Sequence, residues 1–98
     1  MTVTKTQNDT SLKLVLEGRL DTITSPVLEN EINGSLEGIT ELILDFTGIE
    51  YISSAGLRVL LLAQKIMNQQ GNMRLTGVTG TVREVFDITG FTDILTID

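Results

Sequence analysis

Histidine and cysteine are both absent from these 98 residues, so an imidazole base, a thiolate nucleophile, a disulfide framework and the usual zinc ligands are all missing. What remains is a hydroxyl pair, Ser53-Ser54, followed by the two smallest residues, Ala55-Gly56. No neighbouring group could activate either serine as a nucleophile. Placed where a helix begins, a serine can accept a hydrogen bond from an unpaired backbone N–H, and Ala55 and Gly56 let that first turn lie against neighbouring backbone or an approaching partner. Acid–base catalysis would need a titratable pair in a cleft, and Asp21 with Asp45 is the one pair that can be assembled. The expectation is a protein without catalysis of its own, and with no cofactor or metal.

Charge narrows the partners. Thirteen acidic against seven basic residues give a net charge of -6, which repels a phosphate backbone unless the cations cluster. Lys5, Lys13, Arg19, Arg58, Lys65, Arg74 and Arg83 are scattered instead. Neither nucleic acid nor an anionic membrane surface is an expected partner. With 41% hydrophobic and 20% charged residues and one proline, the composition is globular, and the length suits a single domain over 1–98. The longest apolar run, Val59 to Ala63, falls far short of the roughly 20 residues of a membrane helix. No cationic apolar leader opens the sequence, so the expected location is cytoplasmic.

The elements that must position the serines follow from periodicity. Val3 to Thr6 and Leu12, Leu14 and Leu16 alternate as a strand pair joined at Asn8-Asp9. Ser25 is placed to cap a helix with Pro26 at its first position and Leu28, Ile32 and Leu36 on its inner face, although Asn33-Gly34 competes as a turn. Leu42, Ile43, Leu44 and Phe46 read as a central strand covered on both faces. After a connection at Thr47 to Tyr51, the segment from Leu57 to Met67 is the longest helix, ending before Gly71. Met73 to Thr76 is a strand, Val82, Val85 and Phe86 mark a helix stopped at Gly90, and Ile94 to Ile97 is a last strand. The alternation implies an α/β fold, a small mixed sheet with helices packed mainly on one face.

Projected at ~100° per residue, the longest helix carries Val59, Leu60, Leu62, Ala63, Ile66 and Met67 on one arc. Ser54, Arg58, Gln64, Lys65, Asn68 and Gln69 occupy the other. Leu57 and Leu61 fall among the polar residues beside Ser54, the pattern of a docking surface unless another element covers them.

The chain resembles a STAS domain of the stand-alone bacterial anti-sigma factor antagonist type. Tyr51-Ile52-Ser53-Ser54-Ala55-Gly56-Leu57 carries the likeness, supported by Gly18-Arg19-Leu20-Asp21 and by Val85-Phe86-Asp87-Ile88-Thr89-Gly90-Phe91. The resemblance implies that a serine at the start of the second helix is phosphorylated by an anti-sigma factor that is also a serine kinase. The unphosphorylated form binds that kinase and frees the sigma factor for transcription, and a phosphoserine phosphatase resets the switch. Adenine nucleotide and magnesium belong to the kinase. The family glycine aligns with Gly56, which puts the acceptor at Ser54. Where the best-known members have an aspartate this chain has Ser53, the fallback acceptor. The family's loop acid aligns with Asp21 and the acid ending its central strand with Asp45, both expected near Ser54. Asp21, Ser53, Ser54, Gly56, Leu57, Arg58 and Leu61 form the expected partner surface. The family usually carries a helix after the last strand, whereas this sequence stops at Asp98, so the sheet face under that helix is expected to be exposed. An alternative reading is a regulatory STAS subunit of a membrane transport system, with the serine only a cap.

Overall fold

A computed structural model describes residues 1–98. Four strands, β1 (Thr2–Asn8), β2 (Ser11–Leu20), β3 (Glu41–Ile52) and β4 (Asn72–Thr76), form one sheet in the order β1-β2-β3-β4. The hairpin β1-β2 is antiparallel and turns on Asp9-Thr10, one residue later than the Asn8-Asp9 reading, with Asp9 at φ 58°. The pairs β2-β3 and β3-β4 are parallel. Each parallel step crosses through a helix: α1 (Ser25–Ser35) before β3 and α2 (Ser54–Asn68) before β4. A third helix, α3 (Gly80–Thr89), leads to a parallel bridge between Ile97 and Leu75. All three crossovers step in the same direction, and right-handed crossovers then place every helix on one face. No helix is long and apolar enough to cross a membrane.

The register explains the core. Leu12, Leu42 and Met73 lie side by side, as do Leu14, Leu44 and Leu75. With Leu16, Phe46, Leu28, Ile32, Leu60, Ala63, Met67, Val82 and Phe86 they belong to one buried cluster. Phe86 reaches Phe46 at 6.2 Å between ring centroids and Phe91 at 6.5 Å, which pins α3 to the sheet. Gly90 ends α3 at φ 79°, the left-handed geometry that glycine adopts without a Cβ clash.

Four expectations need correction. The second face of β3 is not covered: Ile43, beside Lys13 and Arg74 in register, is only half-buried, and the row Val15, Asp45 and Thr76 shares that open face. β3 also continues through Thr47–Ile52 rather than ending in a connection. Register shifts against β2 at Val15/Glu17 and Gly18/Arg19 break the period of two, so the buried positions become Phe46, Ile49 and Ile52. The expected strand at Ile94–Ile97 reduces to one bridge. A 3₁₀ turn at Phe91–Asp93 draws Leu95 into the core, leaving only Thr96 and Asp98 to bond Leu75. Finally, α1 is preceded by Thr24 as its N-cap, and Ser25 lies within its first turn with its hydroxyl donating to Asp21 O. The helix runs through Asn33-Gly34 as expected, with Leu36 closing it.

Candidate functional site

The serine pair sits where β2 and β3 end together. Leu20 pairs with Ile52, and the Ser53 N–H donates to Leu20 O at 2.9 Å. The chain therefore turns from strand to helix with no slack. A Cβ on Gly56 would lie 2.8 Å from Ile52 Cγ1 and from Leu20 Cγ, and 3.0 Å from Leu20 O. The glycine is there because the first turn of α2 is pressed onto the strand ends, and a backbone oxygen cannot move aside as a flexible side chain could.

The two hydroxyls have opposite environments. Ser53 occupies the N-cap position of α2 with extended backbone, but its Oγ is fully buried and has no hydrogen-bond partner. Ser54, the first helical residue, is exposed. Neither caps the helix through its side chain, so the cap expected from the sequence is absent: the N-cap oxygen points into the protein. The first turn of α2 contains no acidic residue. Its N–H groups consequently present an uncompensated positive dipole end beside the Ser54 hydroxyl.

Asp21 builds the adjacent loop. Its Oδ1 accepts from the Ile23 and Thr24 N–H groups, each at 3.0 Å, and its own N–H donates to Thr24 Oγ1 at 2.9 Å. Thr24 Oγ1 in turn donates to Arg19 O at 2.6 Å. The backbone N–H of Thr24 is the main cause holding the Asp21 carboxyl below the usual carboxylate range, with the Thr24 hydroxyl, the Ile23 N–H and Arg19 adding to it against some burial. Arg19 also lies 4.1 Å from the centroid of the Tyr51 ring. This turn holds α1 at the mouth of the site and is committed to it: no hydrogen bond joins Asp21 to either serine.

Asp45 is elsewhere. Because β3 continues for seven residues beyond it, Asp45 stands roughly 23 Å of strand away from the start of α2, on the open sheet face opposite the helices. There the Thr47 hydroxyl and N–H hold its carboxyl low, and Lys13 approaches to 4.0 Å. Asp21 and Asp45 form no common cleft.

The docking face also differs from the helical projection. Leu57 is 8% exposed and belongs to the core, and Leu61 is half-buried. α1 lies alongside α2, with Arg58 Nη2 reaching Glu29 Oε1 at 3.0 Å, so the covered arc is wider than one helix alone indicates. Gln64, placed on the polar arc, is likewise buried. The exposed apolar side chains at this end of the molecule are instead Ile23, at 85% exposure, Val27 and Tyr51. Ile23 sits in a polar turn and Val27 falls beside the Leu28 and Ile32 stripe. Hydrophobic periodicity carries no signal for either.

The arrangement is a serine hydroxyl exposed on a bare helix N-terminus, with small residues beneath it and apolar side chains around it. A family model for the STAS domain matches residues 2–98. The chain belongs to the STAS domain family. BtrV of Bordetella bronchiseptica, which bears the name of an anti-sigma factor antagonist, is 37% identical over 99% of this chain and 85% of its own length. The anti-sigma-B factor antagonist of Bacillus subtilis is 28% identical over 93% and 84% of the two chains. Among solved structures, the anti-sigma factor antagonist SpoIIAA in its unphosphorylated form superposes with a TM-score of 0.77 at 17% identity, covering 99% of this chain and 87% of that one. The phosphorylated form of the same Bacillus protein gives 0.77 as well, at 18% identity over 99% and 91%. The names of these relatives favour the antagonist reading of the STAS domain over that of a transporter subunit.

Proposed function

We propose that this chain is an anti-sigma factor antagonist that switches partners through phosphorylation of Ser54. In this reading the unphosphorylated protein binds a cytoplasmic anti-sigma factor with serine-kinase activity and so releases the sigma factor. Phosphorylation ends that binding, and a phosphoserine phosphatase restores it. The observation that carries the choice of acceptor is the contrast at the start of α2: Ser54 is exposed, whereas the Ser53 hydroxyl is sealed. A kinase reaching Ser53 would have to open the strand-to-helix turn that the Ser53 N–H bond to Leu20 O closes.

Charge supplies the switch. A phosphoserine carries about -1.5 to -2 charges at pH 7 and three acceptor oxygens, and the unpaired N–H groups and dipole of α2 stabilise them, so the fold is retained. The surface around it becomes unfit for a dry interface. Docking on Ile23, Val27 and Ser54 would desolvate the dianion with only the helix N–H groups and no free cation to neutralise it, at several kcal/mol, and about 4 kcal/mol is a thousandfold in affinity.

The test is phosphorylation by the cognate kinase with ATP, mapped by mass spectrometry. Ser54→Ala abolishes labelling and Ser53→Ala retains it; full labelling of Ser54→Ala would move the acceptor to Ser53. One preparation, split and half phosphorylated, separates veto from unfolding. Amide protection along α2 stays the same or rises while affinity falls. Loss of protection throughout α2 would instead mean a switch by local unfolding.

A further inference from the structure

One cation stands within reach of Ser54, and it is already in use. Arg58 follows Ser54 by one turn of α2, the i, i+4 spacing that sets two side chains about 5–6 Å apart at their Cβ atoms. Long side chains on a helix lean toward its N-terminus and cover the turn before their own Cα, so the ordinary rotamers of Arg58 include ones that lie over Ser54. Here Arg58 reaches across to α1 instead, with Nη2 3.0 Å from Glu29 Oε1. No other side chain bonds it, and it is 62% exposed, so Glu29 alone fixes its direction. Arg19, the other cation at this end, is spent on Asp21 at 3.9 Å and on the ring of Tyr51.

Charge decides where Arg58 goes once Ser54 is modified. Glu29 offers a single negative charge, and an exposed pair of this kind holds its partners weakly. A phosphoserine offers about -1.5 to -2 charges and three acceptor oxygens, and a guanidinium matches a phosphate with two parallel hydrogen bonds. The acid would also lie N-terminal to the base, the better order for an i, i+4 pair.

We propose that Arg58 reads the phosphate: phosphorylation of Ser54 draws it off Glu29 and opens the ion pair between α1 and α2. The inference rests on Ser54 being the phosphorylated residue. Before modification the charges of Glu29 and Arg58 cancel; afterwards the three groups together carry about -1.5 to -2, whichever acid holds the arginine. Transfer therefore does not neutralise the surface. It strands the Glu29 carboxylate two positions from exposed Val27, and so spreads the excess negative charge from the start of α2 onto α1.

Phosphoserine incorporated at position 54 during translation, rather than by a kinase, gives the protein for the test. Two nuclear magnetic resonance signals report on it: the phosphorus shift through a pH titration and the Arg58 Nε–H resonance. Arg58→Ala should raise the midpoint of the phosphate titration by about 0.3 pH units or more, and Arg58→Lys should give part of that back. Glu29→Gln should move the Arg58 resonance in the unmodified protein, where the pair is closed, and leave it in place in the phosphorylated one. An unmoved midpoint in Arg58→Ala overturns the proposal. So does an Arg58 resonance that still responds to Glu29→Gln after phosphorylation, since Glu29 would then have kept the arginine. Should a variant fail to fold, the unaltered protein decides: the Arg58 resonance must shift between its unmodified and phosphorylated forms, and an unshifted one overturns the proposal. Failure here leaves the choice of acceptor untouched, because no kinase places the phosphate. A kinase that labels another residue would instead sink the proposed function with this contact intact.

Discussion

The two ends of α2 leave polar atoms unsatisfied in different ways. At the N-terminal end the strand termini press so close that Gly56 admits no Cβ, and the orphan atom there, Ser53 Oγ, is enclosed by protein. At the C-terminal end the sheet edge stops short, and the orphan atoms of Gln64 and Arg74 belong to residues lining a cavity. The same defect therefore has two meanings. In the closed end it fixes which serine can be reached, since the buried hydroxyl is withdrawn and its neighbour left outside. In the open end it ties nothing to the cavity, since Gln64 Oε1 and Arg74 Nε are themselves buried and their residues stand on opposite faces of the sheet.

The largest expected effect breaks the closed end. Gly56→Val adds branched carbons where even one Cβ meets Leu20 O at 3.0 Å, so the turn must move, at a cost of about 3 kcal/mol. Urea denaturation checks this. A loss below about 0.5 kcal/mol would show that α2 docks with slack and that the sealing of Ser53 is accidental.

Next comes the contrast between two leucines one turn apart. Leu57→Ala should cost about 2–4 kcal/mol, since Leu57 is in the core, and half-buried Leu61→Ala about 1 kcal/mol or less. Ile23→Ser should leave the unfolding free energy within about 0.5 kcal/mol while weakening anti-sigma factor binding, because Ile23 is 85% exposed. If Leu61→Ala weakened binding and Ile23→Ser did not, the docking face would return to α2.

Those residues also mark what the sequence could and could not disclose. The strands, the three helices and the place of Ser54 at a strand-to-helix turn were legible because apolar spacing and small residues are local signals. The burial of Leu57 was not, because burial is set by packing between elements far apart in sequence, as where α1 meets α2 across 29 positions at the Arg58–Glu29 contact. The extension of β3 to Ile52 was hidden by register shifts that turn a period of two into a period of three. Asp45 was misplaced with it. Ile94–Ile97 looked like a strand, but Leu95 is held by the core and by its N–H bond to Phe91 O rather than by a sheet partner. The burial of Gln64 has no sequence signature, since burial of a glutamine on a polar arc depends on what packs over it.

Acid should act first on the closed end and the open sheet face. The folded carboxyls of Asp21 and Asp45 both titrate below their ordinary value. Each therefore binds its proton more weakly folded than unfolded. Their contribution is complete above the unfolded pKa of about 3.9 and is lost as pH falls through the lower folded values. Stability owed to these groups should be level from pH 7 to about 5 and fall below about 4. Urea midpoints at a series of pH values test this. A decline already under way between pH 7 and 6 would point to other groups.

The smallest effect is the most direct measure of the contrast. Ser53→Ala deletes a hydroxyl that is buried, caps nothing and bonds nothing, so the folded state loses a desolvation cost that the unfolded state never bore. The variant should be more stable by about 1 kcal/mol, a rise in melting temperature of about 4–8 °C for a domain of this size. Ser54→Ala, which removes an exposed hydroxyl with no capping bond, should change stability by less than about 0.5 kcal/mol. The two neighbouring alanines thus separate along two axes: one alters stability and spares phosphorylation, the other spares stability and abolishes it. A destabilised Ser53→Ala would mean that its hydroxyl is satisfied after all, by a water or by the helix N–H groups. The closed end of α2 would then differ from the open one only in size.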